Sequence, residues 1–351
     1  MGPLPQFINS LAPLTSFLKT KKFSQLLILC DTNTHEKVFP LVQKELAGFI
    51  EPVVLYVEAG EASKSWEICL SLWEKMSQLN VDRKSLLINL GGGMITDLGA
   101  FVASVYKRGI PFVHLPTSLL GMTDAAIGGK CGIDFLNYKN QLGLFAKAEA
   151  IFIYPPFLET LAVEELKSGF AEVLKHALIK DFQYWEALKE IELNSWKEAA
   201  SYIEQSVKIK SQIVQADPKE DGERKKLNFG HTVGHGIESF FLKKQKHLPH
   251  GYAIAAGMLI ESWLSLHHTQ LPVKDFEEIT KSIQKQYEKV TYIEEDIAEI
   301  IEFIQQDKKS EKGESRFTLL SEIGKAELNI KVDNKQLYAA LKHYLVLYEK
   351  T

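Results

Sequence analysis

Residues 85–106 read SLLINLGGGMITDLGAFVASVY, and this stretch decides the fold. Ser85–Leu90 is an apolar run of strand length. Gly91, Gly92 and Gly93 follow as a turn, and Thr96–Tyr106 spaces its apolar residues as a helix does. Strand, glycine turn and helix in that order let an α/β protein offer backbone N–H groups to a phosphate. Outward from this unit, Leu26–Cys30, Val53–Val57, Phe112–Leu115 and Ala150–Tyr154 are further strand candidates, and Glu67–Leu79 has helical periodicity. The alternation predicts a parallel sheet with helices on both faces, a Rossmann-like nucleotide-binding domain over residues 1–154. Ligands of such sheets sit beyond the carboxyl ends of the strands, where Asp31, Glu61 and Gly91–Gly93 fall.

Pro155-Pro156 breaks the pattern and sets the expected boundary. Beyond it Val163–Ile179, Glu198–Gln215, Gly230–Phe241, Ile254–His267, Val273–Tyr287, Ile297–Gln306 and Asn334–Tyr348 show helical spacing. Phe317–Leu320 and Ala326–Ile330 suit a short hairpin across Glu322–Lys325. The expectation is an all-α metal- and substrate-binding domain over residues 155–351, with the active site in the interdomain cleft.

A hydrophobic share of 45% with 25% charged residues describes a globular protein, and a net charge of −4 argues against a nucleic-acid or membrane partner. No apolar run approaches the ~18 residues of a membrane span, and the N-terminus lacks the basic start and apolar core of a signal peptide. Three cysteines, Cys30, Cys69 and Cys131, cannot all pair. Two lie in apolar runs, so a reducing, cytoplasmic compartment is expected.

Two constellations carry chemistry. Arg108, Asp124, Lys130, Lys139 and Asn140 follow the glycine turn among small residues. So dense a set of anion-binding and acid/base groups points to a phosphorylated small molecule beside a nucleotide. The triplet is not the GxGxxG fingerprint, and IGGKC is not a P-loop. A bare glycine turn also serves purely structural ends, but charged groups recur at the other strand ends. The second constellation lies in the helical half. FAEVLKH places Glu172, Lys175 and His176 about one turn apart, NFGHTVGH places His231 and His235 at i and i+4, and HLPHG adds His247 and His250 on a loop. Two histidines and a carboxylate with open positions suit catalytic Zn²⁺. An i,i+4 histidine pair is often incidental; a third loop histidine and a glutamate inside an apolar helix favour a metal. Spacing alone leaves His235 as either a ligand or a proton carrier. Arg224 and Asn228, one turn apart, lead into His231, while Lys208 and Lys210 read by default as a solvated helix face.

The segments AGEASKS, GGGMITDLGAFVASVYKRG, LPTSLLGMTDAAIGGKCGID, YKNQLGLF, ELKSGFAEVLKHALI, LNFGHTVGHGIE and HGYAIAAGM, in that order over about residues 30–260, resemble the 3-dehydroquinate synthase family. The resemblance implies an NAD- and divalent-metal-dependent homodimeric lyase, using zinc or cobalt. It would convert 3-deoxy-D-arabino-heptulosonate 7-phosphate to 3-dehydroquinate and phosphate in the shikimate pathway, which feeds chorismate and aromatic amino-acid biosynthesis. The route it implies is transient oxidation by NAD, phosphate elimination, re-reduction and aldol cyclisation. It assigns the metal to Glu172, His231 and His250, and makes His235 catalytic. NAD falls to Asp31, Asn33, Glu61, Lys64, Gly92, Gly93, Asp97, Thr117 and Ser118, with Phe157, Thr160, Leu161 and Glu165 on its far wall. Asp124, Lys130, Lys139, Asn140, Lys175, Lys210, Arg224 and Asn228 line the substrate and cofactor pocket. The arginine matching Arg108 reaches the phosphate in the neighbouring subunit, and a late lysine, Lys325 or Lys308, completes the site. Four positions depart from the family pattern: Ser118 for threonine, Tyr138 for glycine, Cys131 for threonine, and Tyr252 for the acid after His250-Gly251. The last bears on how the metal histidine is oriented. Rival readings are a sugar phosphate cyclase acting on another sugar, a polyol dehydrogenase of similar architecture, and a silent binding subunit. Lys210 and Arg224 favour a carboxylated substrate.

Overall fold

The computed structural model describes residues 2–136, 138–307 and 315–348. The chain divides into two compact units, one of Met1–Ala162 with Trp196–Val207, the other of Val163–Ser195 with Lys208–Thr351. The division thus falls after Ala162 and not at the double proline, and the short turn Pro155–Thr160, with Phe157 and Leu158 buried, belongs with the first unit.

The first unit contains β1 (Gln6–Phe7), β2 (Leu26–Asp31), β3 (Val53–Val57), β4 (Leu86–Gly91), β5 (Phe112–Pro116), β6 (Lys130–Phe135), β7 (Tyr138–Phe145) and β8 (Ala150–Ile153). Six form one parallel sheet in the order β1-β8-β5-β4-β2-β3. Its central strands are buried along nearly their whole length, which is why they read as continuous apolar runs and not as alternating ones. Leu27, Leu29 and Leu87 pack with Ile95, Leu98 and Phe101 of the helix Gly93–Val105, and with Cys69 and Leu72 of the helix Trp66–Gln78. One polar pair interrupts this core: Asn89 on β4 lies 3.3 Å from His114 Nδ1 on β5. Gly99 makes room for it, since a Cβ there would stand 2.0 Å from Asn89 Oδ1.

Sequence reading did not anticipate that β6 and β7 form a separate antiparallel ribbon. Gly132 and Gly143 are paired across it, and a Cβ on either would come within 2.8 Å of the opposite strand's carbonyl. Glycine is required for the close approach, and it also hides the strand signal.

The second unit is helical, built from Val163–Lys180, Phe182–Leu188, the latter part of Trp196–Ala216, His231–Lys243, His250–His268, Val273–Gln286, Ile297–Asp307 and Asn334–Leu347. The expected hairpin is present as β9 (Ser315–Glu322) and β10 (Lys325–Val332), with Gly324 at φ +90° in its turn. Val163–Lys180 and His250–His268 each bury thirteen residues and form the middle of this unit. Among the described residues no helix is long and apolar enough to cross a membrane.

Candidate metal centre and nucleotide-side residues

Three elements of the second unit meet at Glu172. This glutamate sits in the middle of the Val163–Lys180 helix, fully buried. His231 is the first residue of its helix, entered through Gly230 at φ +78°, and His250 is the first residue of its own, entered through Pro249. Close backbone packing brings them in. A Cβ at Gly251 would stand 2.0 Å from the Ser168 carbonyl, one turn before Glu172, and Gly251 N–H donates to Ser168 Oγ at 3.0 Å. Glu172 Oε1 then lies 3.4 Å from His231 Nε2 and 3.5 Å from His250 Nε2, and one donor atom from each residue falls within 4.8 Å of the others.

Burial pushes the Glu172 carboxyl up, but Lys175, ion-paired to Oε2, together with His231 and His250 holds it well below the usual carboxylate range. His231 is driven well below an ordinary imidazole by burial and by Lys175, so it stays neutral with a lone pair to give. His250 is opposed by burial, yet Glu238 and Glu172 raise it to about 10. A carboxylate and two imidazoles sharing one point, with Glu172 Oε1 accepting no hydrogen bond among the described residues, is a donor set for a divalent cation. The ring of His235 is 5.2 Å from that of His231 and 6.1 Å from that of His250. Lys175, Lys210 and Arg224 are buried cations of this unit, and Asn228 donates to Glu220 at 3.0 Å.

The expected nucleotide-side residues collect at the carboxyl ends of the parallel strands of the first unit. Asp31 ends β2 and caps the next short helix, accepting from Thr34 N–H at 2.8 Å; Asn33 is exposed in that helix. Gly92 caps the Gly93–Val105 helix with no side chain over its N–H groups, and a Cβ there would lie 3.0 Å from Ser118 Oγ. Thr117 and Ser118 follow β5, buried. Lys64 is 2.6 Å from Asp97 and 3.9 Å from Glu61, which in turn is 3.3 Å from Lys139. Burial pulls Lys64 down, but Asp97, Glu61 and Asp134 outweigh it and hold it above an ordinary lysine. Burial raises Asp97 despite Lys64.

The 3-dehydroquinate synthase N-terminal profile matches residues 54–168 and the C-terminal profile residues 169–310. A 3-dehydroquinate synthase of Parabacteroides distasonis is 39% identical over 94% of this chain and 94% of its own. One of Halalkalibacterium halodurans is 35% identical over 97% of this chain and 94% of its own. The chain belongs to the 3-dehydroquinate synthase family. The fold is shared more widely. A 2-epi-5-epi-valiolone synthase of Streptomyces hygroscopicus subsp. jinggangensis, solved with NAD⁺ and Zn²⁺ bound, superposes with a TM-score of 0.86 at 24% identity over 100% of this chain and 98% of its own. A 2-deoxy-scyllo-inosose synthase complexed with carbaglucose-6-phosphate, NAD⁺ and Co²⁺ gives 0.84 at 22% over 97% and 96%.

Within the family assignment, the remaining residues stand as follows. Lys130 opens β6, exposed, and Lys139 and Asn140 lie on β7, with Asn140 N–H on Asp134 at 2.8 Å. Asp124 sits in the π-helical turn Gly121–Ala125. Phe157 is buried against Tyr154, Thr160 and Leu161 lie just beyond it, and Glu165 is an exposed first-turn residue of the second unit. Arg108 is exposed at φ +67° after Lys107 at φ +49°. Lys325 is exposed at the hairpin turn, 3.3 Å from Glu322, and Lys308 lies outside the described residues. Of the departures, Ser118 Oγ accepts from Gly121 N–H at 3.1 Å, and Cys131 is buried with its thiol pushed up to about 12, chiefly by burial. The Tyr252 ring packs edge-on against Tyr287. Sequence reading missed Glu238, whose Oε2 lies 3.1 Å from His250 Nδ1, and Glu261, which receives Gly230 N–H at 2.7 Å and Val233 N–H at 3.0 Å. Both sit on helices three or more turns from the group they serve or on a different helix altogether, so no spacing rule finds them.

Proposed function

We propose that this chain converts 3-deoxy-D-arabino-heptulosonate 7-phosphate to 3-dehydroquinate and phosphate, the carbon–oxygen lyase step of the shikimate pathway, with zinc and NAD as cofactors. The observation that carries this reading is the meeting of Glu172, His231 and His250 in a chain of this family. The donor set fits the ion: a buried carboxylate kept ionised, one imidazole kept neutral, and an oxygen without a hydrogen bond. The uncapped helix at Gly92 and the acid after β2 fit a dinucleotide. When bound, the cation would acidify a substrate hydroxyl, and NAD would take up one hydride, making the neighbouring C–H acidic enough for phosphate to leave, and return it afterwards.

The residues of the chain supply the rest. His235, one turn after His231, takes the proton from the hydroxyl being oxidised. Lys175, Lys210 and Arg224 bind the carboxylate and phosphate, and their burial makes sense for cations that meet an anion. Asn228 and Asn140 orient the sugar hydroxyls, while Lys130, Lys139 and Asp124 line the pocket. Lys64, fixed by Asp97, and Glu61 hold the nucleotide. Arg108, held outward on its left-handed turn, serves a second copy of the chain in a homodimer. Three buried, unpaired thiols suit a reducing cytoplasm.

Incubation of the protein with the heptulosonate phosphate and trace NAD⁺ tests the proposal. The expected result is many phosphates released per NAD⁺, abolished by a chelator and restored by Zn²⁺ or Co²⁺. Stoichiometric NADH without phosphate would mean a dehydrogenase instead.

A further inference from the structure

Two residues after His250 the chain has Tyr252. Tyr252 packs against Tyr287, with ring centroids 5.3 Å apart and planes perpendicular, and among the described residues its side chain makes no hydrogen bond to His250. The orienting group comes from another helix. Glu238 lies on the His231–Lys243 helix, 4% exposed, and its Oε2 is 3.1 Å from His250 Nδ1. An ionised carboxylate only accepts hydrogen bonds. Nδ1 must therefore carry a hydrogen, which leaves Nε2, on the side of Glu172 and 3.5 Å from Oε1, as the nitrogen that a cation would take in place of its proton.

We infer that Glu238 is the positioning residue that fixes the tautomer and ring angle of His250, and so sets the affinity of the Glu172–His231–His250 site for a divalent cation, with Tyr252 taking no part. The inference rests on reading those three residues as metal ligands. Two further contacts make the arrangement rigid. Glu261, on the helix that begins with His250, holds Gly230 and Val233 N–H at the start of the His231 helix. A Cβ at Gly257 would lie 2.0 Å from the Gly230 carbonyl. Each of the two helices thus lends a carboxylate to the other's first turn.

The test is competition for Zn²⁺ between the chelated and dialysed protein and a chromophoric chelator, with Co²⁺ absorption spectra as a second readout. Glu238→Ala is expected to bind Zn²⁺ roughly 10–100-fold more weakly than wild type. Glu238→Gln, which keeps a neutral acceptor, should fall between them, Glu238→Asp should recover part of the loss, and Tyr252→Phe should match wild type. The Co²⁺ bands should shift in both Glu238→Ala and Glu238→Gln. Should Glu238→Ala not fold, the near-isosteric Gln variant carries the comparison. Wild-type affinity and an unshifted Co²⁺ spectrum in a folded Glu238→Gln protein would overturn the inference alone. Loss of affinity in Tyr252→Phe instead would also overturn it. A wild-type protein that takes up no cation would overturn the metal reading and this inference with it.

Discussion

The two units gather their polar and charged groups with opposite materials. The first uses backbone: a glycine turn, an uncapped helix and left-handed residues, surrounded by partly exposed ion pairs such as Glu61–Lys139. The second uses side chains that are almost wholly buried, Glu172, Lys175, Lys210 and Arg224, with Glu172 and Lys175 ion-paired within one helix. A histidine from each shows the same contrast. His114 lies in the sheet beside a neutral amide, and burial lowers it to about 3. His250, against burial, is raised to about 10 by two carboxylates. Desolvation acts on both, and only the presence of a counter-charge decides the outcome. A backbone site tolerates side-chain changes nearby, whereas a buried charge cluster fails as a unit.

The largest effects are therefore expected in the second unit. On the proposed reading His231→Ala takes one ligand from a cation whose contribution to the transition state is several kcal/mol, so kcat/KM is expected to fall by ~10³ or more. His235→Ala should keep the metal and lose about 10²–10⁴ in turnover. Steady-state kinetics beside metal analysis separates the two roles; a metal-free His235→Ala protein would make His235 a ligand. Next comes acid stability of the first unit. The folded His114 has its pKa lowered from 6.5 to about 3, so the unfolded chain binds the extra proton first. The stabilisation is complete above pH 6.5 and is lost as pH falls toward 3, at about 1.4 kcal/mol per pH unit. Denaturant titrations from pH 7 to 4 should show this loss, and His114→Gln should flatten it; an equal slope in that variant would assign the loss to other groups.

How far the sequence announces each region follows from the same contrast. The glycine turn, its strand and its helix are local, and β2 to β5 fall within a residue or two of their apolar runs. The long helices of the second unit are equally legible, because each has a face packed into a core. Glu172 stands out as an acid in an apolar helix, and His231 with His250 by motif. Glu238 and Glu261 look like ordinary helix residues, since their role exists only where two helices meet at Gly230 and Gly257. The β6–β7 ribbon escapes for a related reason: Gly132 and Gly143, which let its strands approach, carry no strand propensity. The domain boundary, placed at the double proline, also depends on packing, since Phe157 and Leu158 are buried and the first unit runs to Ala162.

Glycines make the sharpest comparison between the units, with the smallest expected changes in stability. At Gly257 a Cβ would stand 2.0 Å from Gly230 O and 2.9 Å from Gly234 N, both backbone atoms of a helix that has no room to retreat. Gly257→Ala must spread the two helices, and overpacking of this kind costs about 1–3 kcal/mol. A drop of several degrees in melting temperature should accompany weaker metal binding, because the same spreading moves His231. At Gly92 a Cβ would meet Ser118 alone, Oγ at 3.0 Å and Cβ at 3.4 Å, a side chain that can give at the cost of its bond from Gly121 N–H. Gly92→Ala should change stability by under about 1 kcal/mol, since it replaces glycine at a helix cap with extended backbone, at φ −73°. Its effect should appear in NAD⁺ titrations instead, as weaker binding where a methyl group now covers the helix N-terminus. If Gly92→Ala melts early and binds NAD⁺ normally, the glycine turn is a structural hinge, and the division between a backbone-built and a side-chain-built site does not hold.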